Sequence, residues 1–362
     1  MKRKLTILAG TTSVILSLIS QPVYAAWGGF GLGGVYTSDP SCTSLASSLA
    51  VCAGLGTDKA LYVTYFNGSA WSGTRLPGVY TSNPSCTSFA TSQVICGALG
   101  TDGGLYVNWY NGGSWSGFGL GGVYTSNPSC ASVGTYQVTG RGTNRVICAG
   151  LGIDKALYVN LFDGNSWSGT RLPGVYTSDP SCAPLGASEV ICGALGTDKA
   201  LYVNRFNGSS WSGIRLPGVY TSNPSCASIG ANQITGTTVV TTNQAVCAGL
   251  GTDKALYVNR FNGNSWSGIR LPGVYTSDPS CAPFSENRVA CAGLGTDQAL
   301  YVNLFNGSSW NGLRLPGVYT SNPSCAPLGG IIVTDRVQIV STDRVVCTGL
   351  GVDKALYLNK GP

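Results

Sequence analysis

The chain has 362 residues, with 21 Lys and Arg against 15 Asp and Glu, a formal net charge of +6 and no histidine. A mild, scattered surplus of cations excludes a nucleic-acid partner, which would need a basic stripe. Fourteen cysteines, 52 glycines and 17 prolines point to an exported, turn-rich, disulfide-stapled protein.

At the N-terminus Lys2, Arg3 and Lys4 precede a largely apolar, uncharged run from Leu5 to Ile19, and Val23-Tyr24-Ala25 supplies small residues for cleavage. The expectation is a secretory signal over residues 1–25, cut after Ala25 (Ala26 is the alternative), and a location outside the cytoplasm, extracellular or periplasmic. The apolar run is short for a span and broken by Gly10-Thr11-Thr12-Ser13. No later segment is long and apolar enough to cross a bilayer. Loss of the three signal cations takes the charge from +6 to +3.

From residue 26 onward one unit is written seven times. Trp27, Trp71, Trp115, Trp167, Trp211, Trp266 and Trp310 open W-S-G-like strings, at spacings of 44, 44, 52, 44, 55 and 44. A VYTS(D/N)PSC string recurs, as does one resembling GLGTDKALYVN, with Asp58, Asp102, Asp154, Asp198, Asp253, Asp297 and Asp353. The longer periods arise between the two cysteines of a unit, at 131–147, 227–246 and 326–346, so they are insertions in one loop.

Each unit holds four strand-like runs separated by turn signals. In the unit of Trp211, strand A is expected near Ser181 to Leu185, B from Val190 to Leu195, C from Ala200 to Phe206 after G-T-D-K, and D from Trp211 to Leu216 after Asn207-Gly208. Helical periodicity is absent. Four antiparallel strands in about 45 residues, seven times over, predict an all-β, seven-bladed propeller over residues 26–362. The last unit stops at strand C, near Asn359, and Trp27-Gly28-Gly29-Phe30 is an orphan strand D. The N-terminal strand is therefore expected to complete the last blade and close the ring without a free edge.

The two cysteines of each unit fall at the ends of one A–B hairpin. The predicted pairs are Cys42–Cys52, Cys86–Cys96, Cys130–Cys148, Cys182–Cys192, Cys226–Cys247, Cys281–Cys291 and Cys325–Cys347. Zinc is the rival reading. It is disfavoured because there is no histidine and the closest cysteines have nine residues between them.

G-x-D-x-x-L-(aromatic), then N-G, then W-S-G, then a Gly-rich link into S-x-P-S-x, resembles the repeat of the Photorhabdus-lectin-like propellers, and more distantly that of tachylectin and tectonin propellers. The resemblance covers residues 26–362 and implies sugar binding in grooves between blades, with fucose or O-methylated sugars among the candidates. The cysteine pairs, and Tyr where relatives often have Trp after A-L, depart from that family's pattern.

No acid stands alone as half of a catalytic pair. Seven are the repeated turn Asp, which is expected to cap its own turn, and Asp39, Asp179 and Asp278 alternate with Asn in the S-(D/N)-P turn. Asp163 replaces a turn Asn, and Glu189, Glu286, Asp335 and Asp343 fall in A–B hairpins. No catalytic residue, cofactor or metal is expected. With Asn67-Gly68 as a two-residue turn, Thr64 would pair with Trp71, Tyr62 with Gly73 and Ala60 with Arg75. Tyr62, Trp71 and Arg75 would then share one face, and Leu61, Val63, Ser72 and Leu76 the other. The candidate ligand-binding sets are accordingly Tyr62, Trp71 and Arg75; Tyr158, Trp167 and Arg171; Tyr202, Trp211 and Arg215; Tyr257, Trp266 and Arg270; and Tyr301, Trp310 and Arg314. Gly31 and Gly119 replace the arginine in the other two units. An aromatic ring beside planar donors matches the C–H patches and hydroxyls of a sugar, although the same aromatics also suit simple filling between blades. Seven similar grooves favour a multivalent binder of glycans or glycoconjugates. A protein-binding or structural propeller, using the three inserted loops, is the alternative.

Overall fold

The computed structural model describes residues 28–361 except 32, 47–48, 67–69, 91–92, 134–144, 187, 230–232, 236–237, 241–242, 286 and 329–343. The expected signal segment, Trp27, the Asn67-Gly68 turn and much of the three inserted loops lie outside the described residues.

One repeat explains the rest. In blade IV, strands A (Ser181–Leu185), B (Glu189–Leu195), C (Leu201–Phe206) and D (Trp211–Arg215) pair antiparallel in that order. Strand B, carrying Val-Ile-Cys-Gly-Ala-Leu, is buried on both faces beyond its first residue, and four of the five residues of strand D are exposed. Burial thus falls from the ring's centre to its rim. Seven such sheets follow one another, beginning with blade I at Ser41–Ala46. The A strands of successive blades lie side by side, including those of blade VII (Ser324–Pro327) and blade I. This is an all-β, seven-bladed propeller. Blade VII takes strand D from the other end of the chain: Gly28–Gly31 pairs antiparallel with Leu356–Lys360, Gly28 opposite Lys360 and Gly31 opposite Tyr357.

All seven predicted disulfides are present, each joining directly opposed residues of strands A and B with Cα atoms 4.0–4.1 Å apart. The V-Y-T-S-(D/N)-P-S-C string welds blades together. Its last serine accepts the backbone N–H of the cysteine in the next blade at 2.8–3.0 Å, seven times around the circle. Its tyrosine is buried in the link. Tyr176, for example, donates to the Pro173 carbonyl and accepts from Nδ2 of Asn204 in the following blade.

The alternation of Asp with Asn has a structural cause. Asp39, Asn83, Asn127, Asp179, Asn223, Asp278 and Asn322 form a closed ring, in which each backbone N–H donates to Oδ1 of the next member at 2.9–3.1 Å. Every Asn amide also donates through Nδ2 to a neighbouring Asp Oδ2, at 2.6–3.4 Å. Seven asparagines would leave amide donors facing one another, and adjacent aspartates would set carboxylates in contact. Three non-adjacent Asp, the most that seven positions allow, give every Asn amide nitrogen an Asp acceptor. Burial still pushes all three carboxyls above the usual carboxylate range.

The expected C–D register is corrected. Tyr62 stands opposite Arg75, Thr64 opposite Gly73 and Phe66 opposite Trp71, two residues from the pairing that a two-residue turn requires. The connection is a four-residue turn. In blade IV, Asn207 N–H donates to the Ser210 carbonyl, while Asn207 Oδ1 accepts from the N–H of Ser209 and Ser210. Only Gly208 takes a positive φ, +99°. Because the slip is two residues, each side chain keeps its expected face.

Candidate functional site

The candidate grooves are the seams between successive blades, packed at the inner strands and exposed along strand D. In the groove between blades IV and V, blade IV presents Val203, Arg205 and Ile214, and blade V presents Tyr257, Phe261, Trp266 and Arg270. Val203 and Phe261 lie in one buried cluster against which Tyr257 and Trp266 pack. The guanidinium of Arg205 sits 5.6 Å from the Phe261 ring centroid and is tied to Glu189 at 2.6 Å. Ile214 is 50 % exposed, a large apolar surface at a groove mouth.

At the other end of strand D the predicted tyrosine and arginine meet on a third residue. Asp198 Oδ1 accepts the Ala200 N–H, capping the turn as expected, while Oδ2 accepts both the Tyr202 hydroxyl at 3.3 Å and Arg215 Nε at 2.7 Å. The same cluster recurs at Asp58/Tyr62/Arg75, Asp154/Tyr158/Arg171, Asp253/Tyr257/Arg270 and Asp297/Tyr301/Arg314. The Arg215 guanidinium beside Asp198 holds its carboxyl below the usual range. The arginine side chains are 50–51 % exposed. In blades II and VII, Asp102 and Asp353 keep their turn caps and their tyrosines, Tyr106 and Tyr357, but Gly119 and Gly31 stand opposite those tyrosines where the other blades have Arg. The glycine of G-T-D-K is needed beneath the tyrosine: a Cβ on Gly196 would lie 2.5 Å from the Tyr202 ring.

The predicted sets are therefore only partly brought together. Tyr and Arg join through Asp. Trp stands four residues back along strand D, roughly 13 Å away at about 3.3 Å per residue, packed on Phe206 in blade IV with ring centroids 5.3 Å apart. Each groove thus has an aromatic end and a charged end. The residue missed by sequence reasoning is the Asp, whose role in holding the arginine lies beyond capping. The available signal was its constant separation of 17 residues from the arginine in five units.

No protein-family model matches the chain, and no curated protein sequence matches it. Solved structures do. The BP39L lectin of Burkholderia pseudomallei superposes with a TM-score of 0.70 at 16 % identity, covering 90 % of this chain and 95 % of that one. The Aleuria aurantia lectin in complex with Fucα1-6GlcNAc gives 0.58 at 12 % identity, over 78 % of this chain and 98 % of that one. AofleA of Arthrobotrys oligospora gives 0.57 at 11 %, over 80 % and 89 %. What the chain shares with them is the propeller fold. The Aleuria lectin is described as six-bladed, one blade fewer than here.

Proposed function

We propose that the protein is a secreted, multivalent lectin that binds glycans in the grooves between its blades, with fucose or O-methylated sugars as the first ligands to test, and that it carries out no catalysis. The observation that carries this reading is the recurring groove, in which an aromatic end of Trp and Phe is followed along strand D by a Tyr–Asp–Arg cluster with a half-exposed guanidinium. Aromatic faces take the C–H side of a pyranose, and a planar donor fork takes its hydroxyls. The Asp–Arg contact holds that fork in place before ligand arrives, which lowers the ordering cost of binding. The Photorhabdus-lectin-like repeat supports the reading, as does similarity in fold to lectins whose structures hold fucosides. Repetition suits weak single sites, because copies on one rigid ring add avidity.

The test is a glycan array read with and without competing free L-fucose. Binding to fucosylated or O-methylated glycans, competed by the free sugar, is the expected outcome. A correctly disulfide-bonded protein that binds no glycan on the array refutes the proposal.

A further inference from the structure

Taking sugar binding as the starting point, we infer that, among the six grooves from I/II to VI/VII, it is confined to three consecutive ones, those between blades III and IV, IV and V, and V and VI. Three observations coincide on the same grooves. Trp211, Trp266 and Trp310 are their tryptophans. Among the described residues, the buried side-chain donors without a partner are the indole N–H groups of Trp109 and Trp167 and Nε of Arg260. The indole N–H groups of Trp211, Trp266 and Trp310 are not among these sealed donors.

Each of the three also has an arginine from the preceding blade stacked on the phenylalanine beside its tryptophan: Arg145 on Phe206 at 5.7 Å, Arg205 on Phe261 at 5.6 Å and Arg260 on Phe305 at 4.9 Å. Arg205 and Arg260 come from strand C. Blade III has Leu161 at that position, and its arginine arrives from residue 145, at the start of strand B, so the same groove chemistry is reached from a different place in the repeat. These arginines act as positioning residues for the aromatic end. Finally, all three grooves carry the charged end, at Arg215, Arg270 and Arg314.

The grooves II/III, I/II and VI/VII are closed or incomplete. Between blades II and III, Phe118 packs 6.2 Å from Trp167, Trp109 packs 5.7 Å from Phe162, and both indole N–H groups are buried. Arg171 is present there, but the aromatic end is sealed. Between blades I and II the Trp115 indole donates to the Tyr65 hydroxyl and Gly119 replaces the arginine. Between blades VI and VII, Leu313 packs in the cluster with Tyr357 and Gly31 replaces the arginine. At blades III, IV and V the position matching Phe118 is Thr170, Ile214 or Ile269, exposed in each case.

The experiment is indole NMR on protein labelled with 15N-tryptophan, first without ligand and then titrated with methyl α-L-fucoside or the best monosaccharide from the array. Without ligand, the N–H groups of Trp211, Trp266 and Trp310 should exchange with solvent at least tenfold faster than those of Trp115 and Trp167. With sugar, the signals of Trp211, Trp266 and Trp310 should shift and those of Trp115 and Trp167 should not. Arg215→Ala should abolish one of three responses and Arg171→Ala none. Phe118→Thr should bring Trp167 into the responding set. A Trp167 response in the wild type, or a loss of one site in Arg171→Ala, overturns the three-groove assignment while leaving sugar binding intact. If no indole responds to any sugar the array retains, sugar binding in the grooves fails, and the assignment with it.

Discussion

The Asp/Asn ring makes a quantitative test of how the seven blades are held together. Asn322 donates through Nδ2 to Asp39 Oδ2 at 2.9 Å and to Asp278 Oδ2 at 3.4 Å. Asn322→Asp would set a third carboxylate between those two. At an effective dielectric near 20, each contact of about 3 Å repels by about 5 kcal/mol. The sum exceeds the about 4 kcal/mol needed to keep a carboxyl of ordinary pKa protonated at pH 7, so the new side chain takes up a proton. The carboxylic acid then offers one donor where the amide offered two, leaving one acceptor short by about 1–3 kcal/mol. The variant should therefore be about 5–7 kcal/mol less stable than the wild type at pH 7, against a typical total of roughly 5–15 kcal/mol. The sign follows from a folded pKa raised above the unfolded one. The protonation cost is absent below the unfolded value, near pH 4, and grows by about 1.4 kcal/mol per pH unit toward neutrality. Guanidinium unfolding of both proteins at pH 4, 5.5 and 7, under non-reducing conditions, reads this directly. Asn223→Asp, also flanked by two Asp, should behave alike, whereas Asn83→Asp and Asn127→Asp, with one Asp neighbour each, should cost less. A stability gap independent of pH, or one equal at all four positions, would show that the ring does not act as a coupled network.

Three further outcomes are expected. Removing residues 26–34 deletes the strand paired with Leu356–Lys360. That loses roughly 2–6 kcal/mol for about four hydrogen bonds, and a truncated protein that melts with the intact one rejects closure by this strand. Tyr176→Phe strands the buried Asn204 Nδ2, which has the Tyr176 hydroxyl as its acceptor, and should cost about 1–3 kcal/mol in chemical denaturation, with no loss contradicting the link's role. In Arg215→Ala, Asp198 should titrate at higher pH by carboxyl NMR, because the guanidinium is the largest cause of its lowered pKa, while Asp154 and Asp253 stay as they are. Its stabilising contribution is present above the ordinary carboxylate range and fades as pH falls, and an unmoved Asp198 titration contradicts the pairing.

Much of this protein is legible along the chain because a propeller repeats local instructions. The 44-residue period, the four strand-like runs, the cysteines at hairpin ends and the orphan strand at Trp27 are each set by residues near one another in sequence, and they led to the seven blades, the seven disulfides and the ring closure. The C–D register was misjudged because Asn207 tightens its turn through its side chain, a choice that the letters N-G do not distinguish from a two-residue hairpin. Other features depend on contacts between blades, 44 or more residues apart, which leave no local signature. The Asp or Asn before each proline reads as interchangeable until the circle makes each one the neighbour of two others. The five arginines look equivalent until packing seals Trp167 under Phe118 while Thr170, Ile214 and Ile269 stand exposed at the matching positions of the next three blades. A periodic sequence specifies the blade, but which grooves remain open is decided where two blades meet, by the volumes and charges of side chains that sequence order keeps apart.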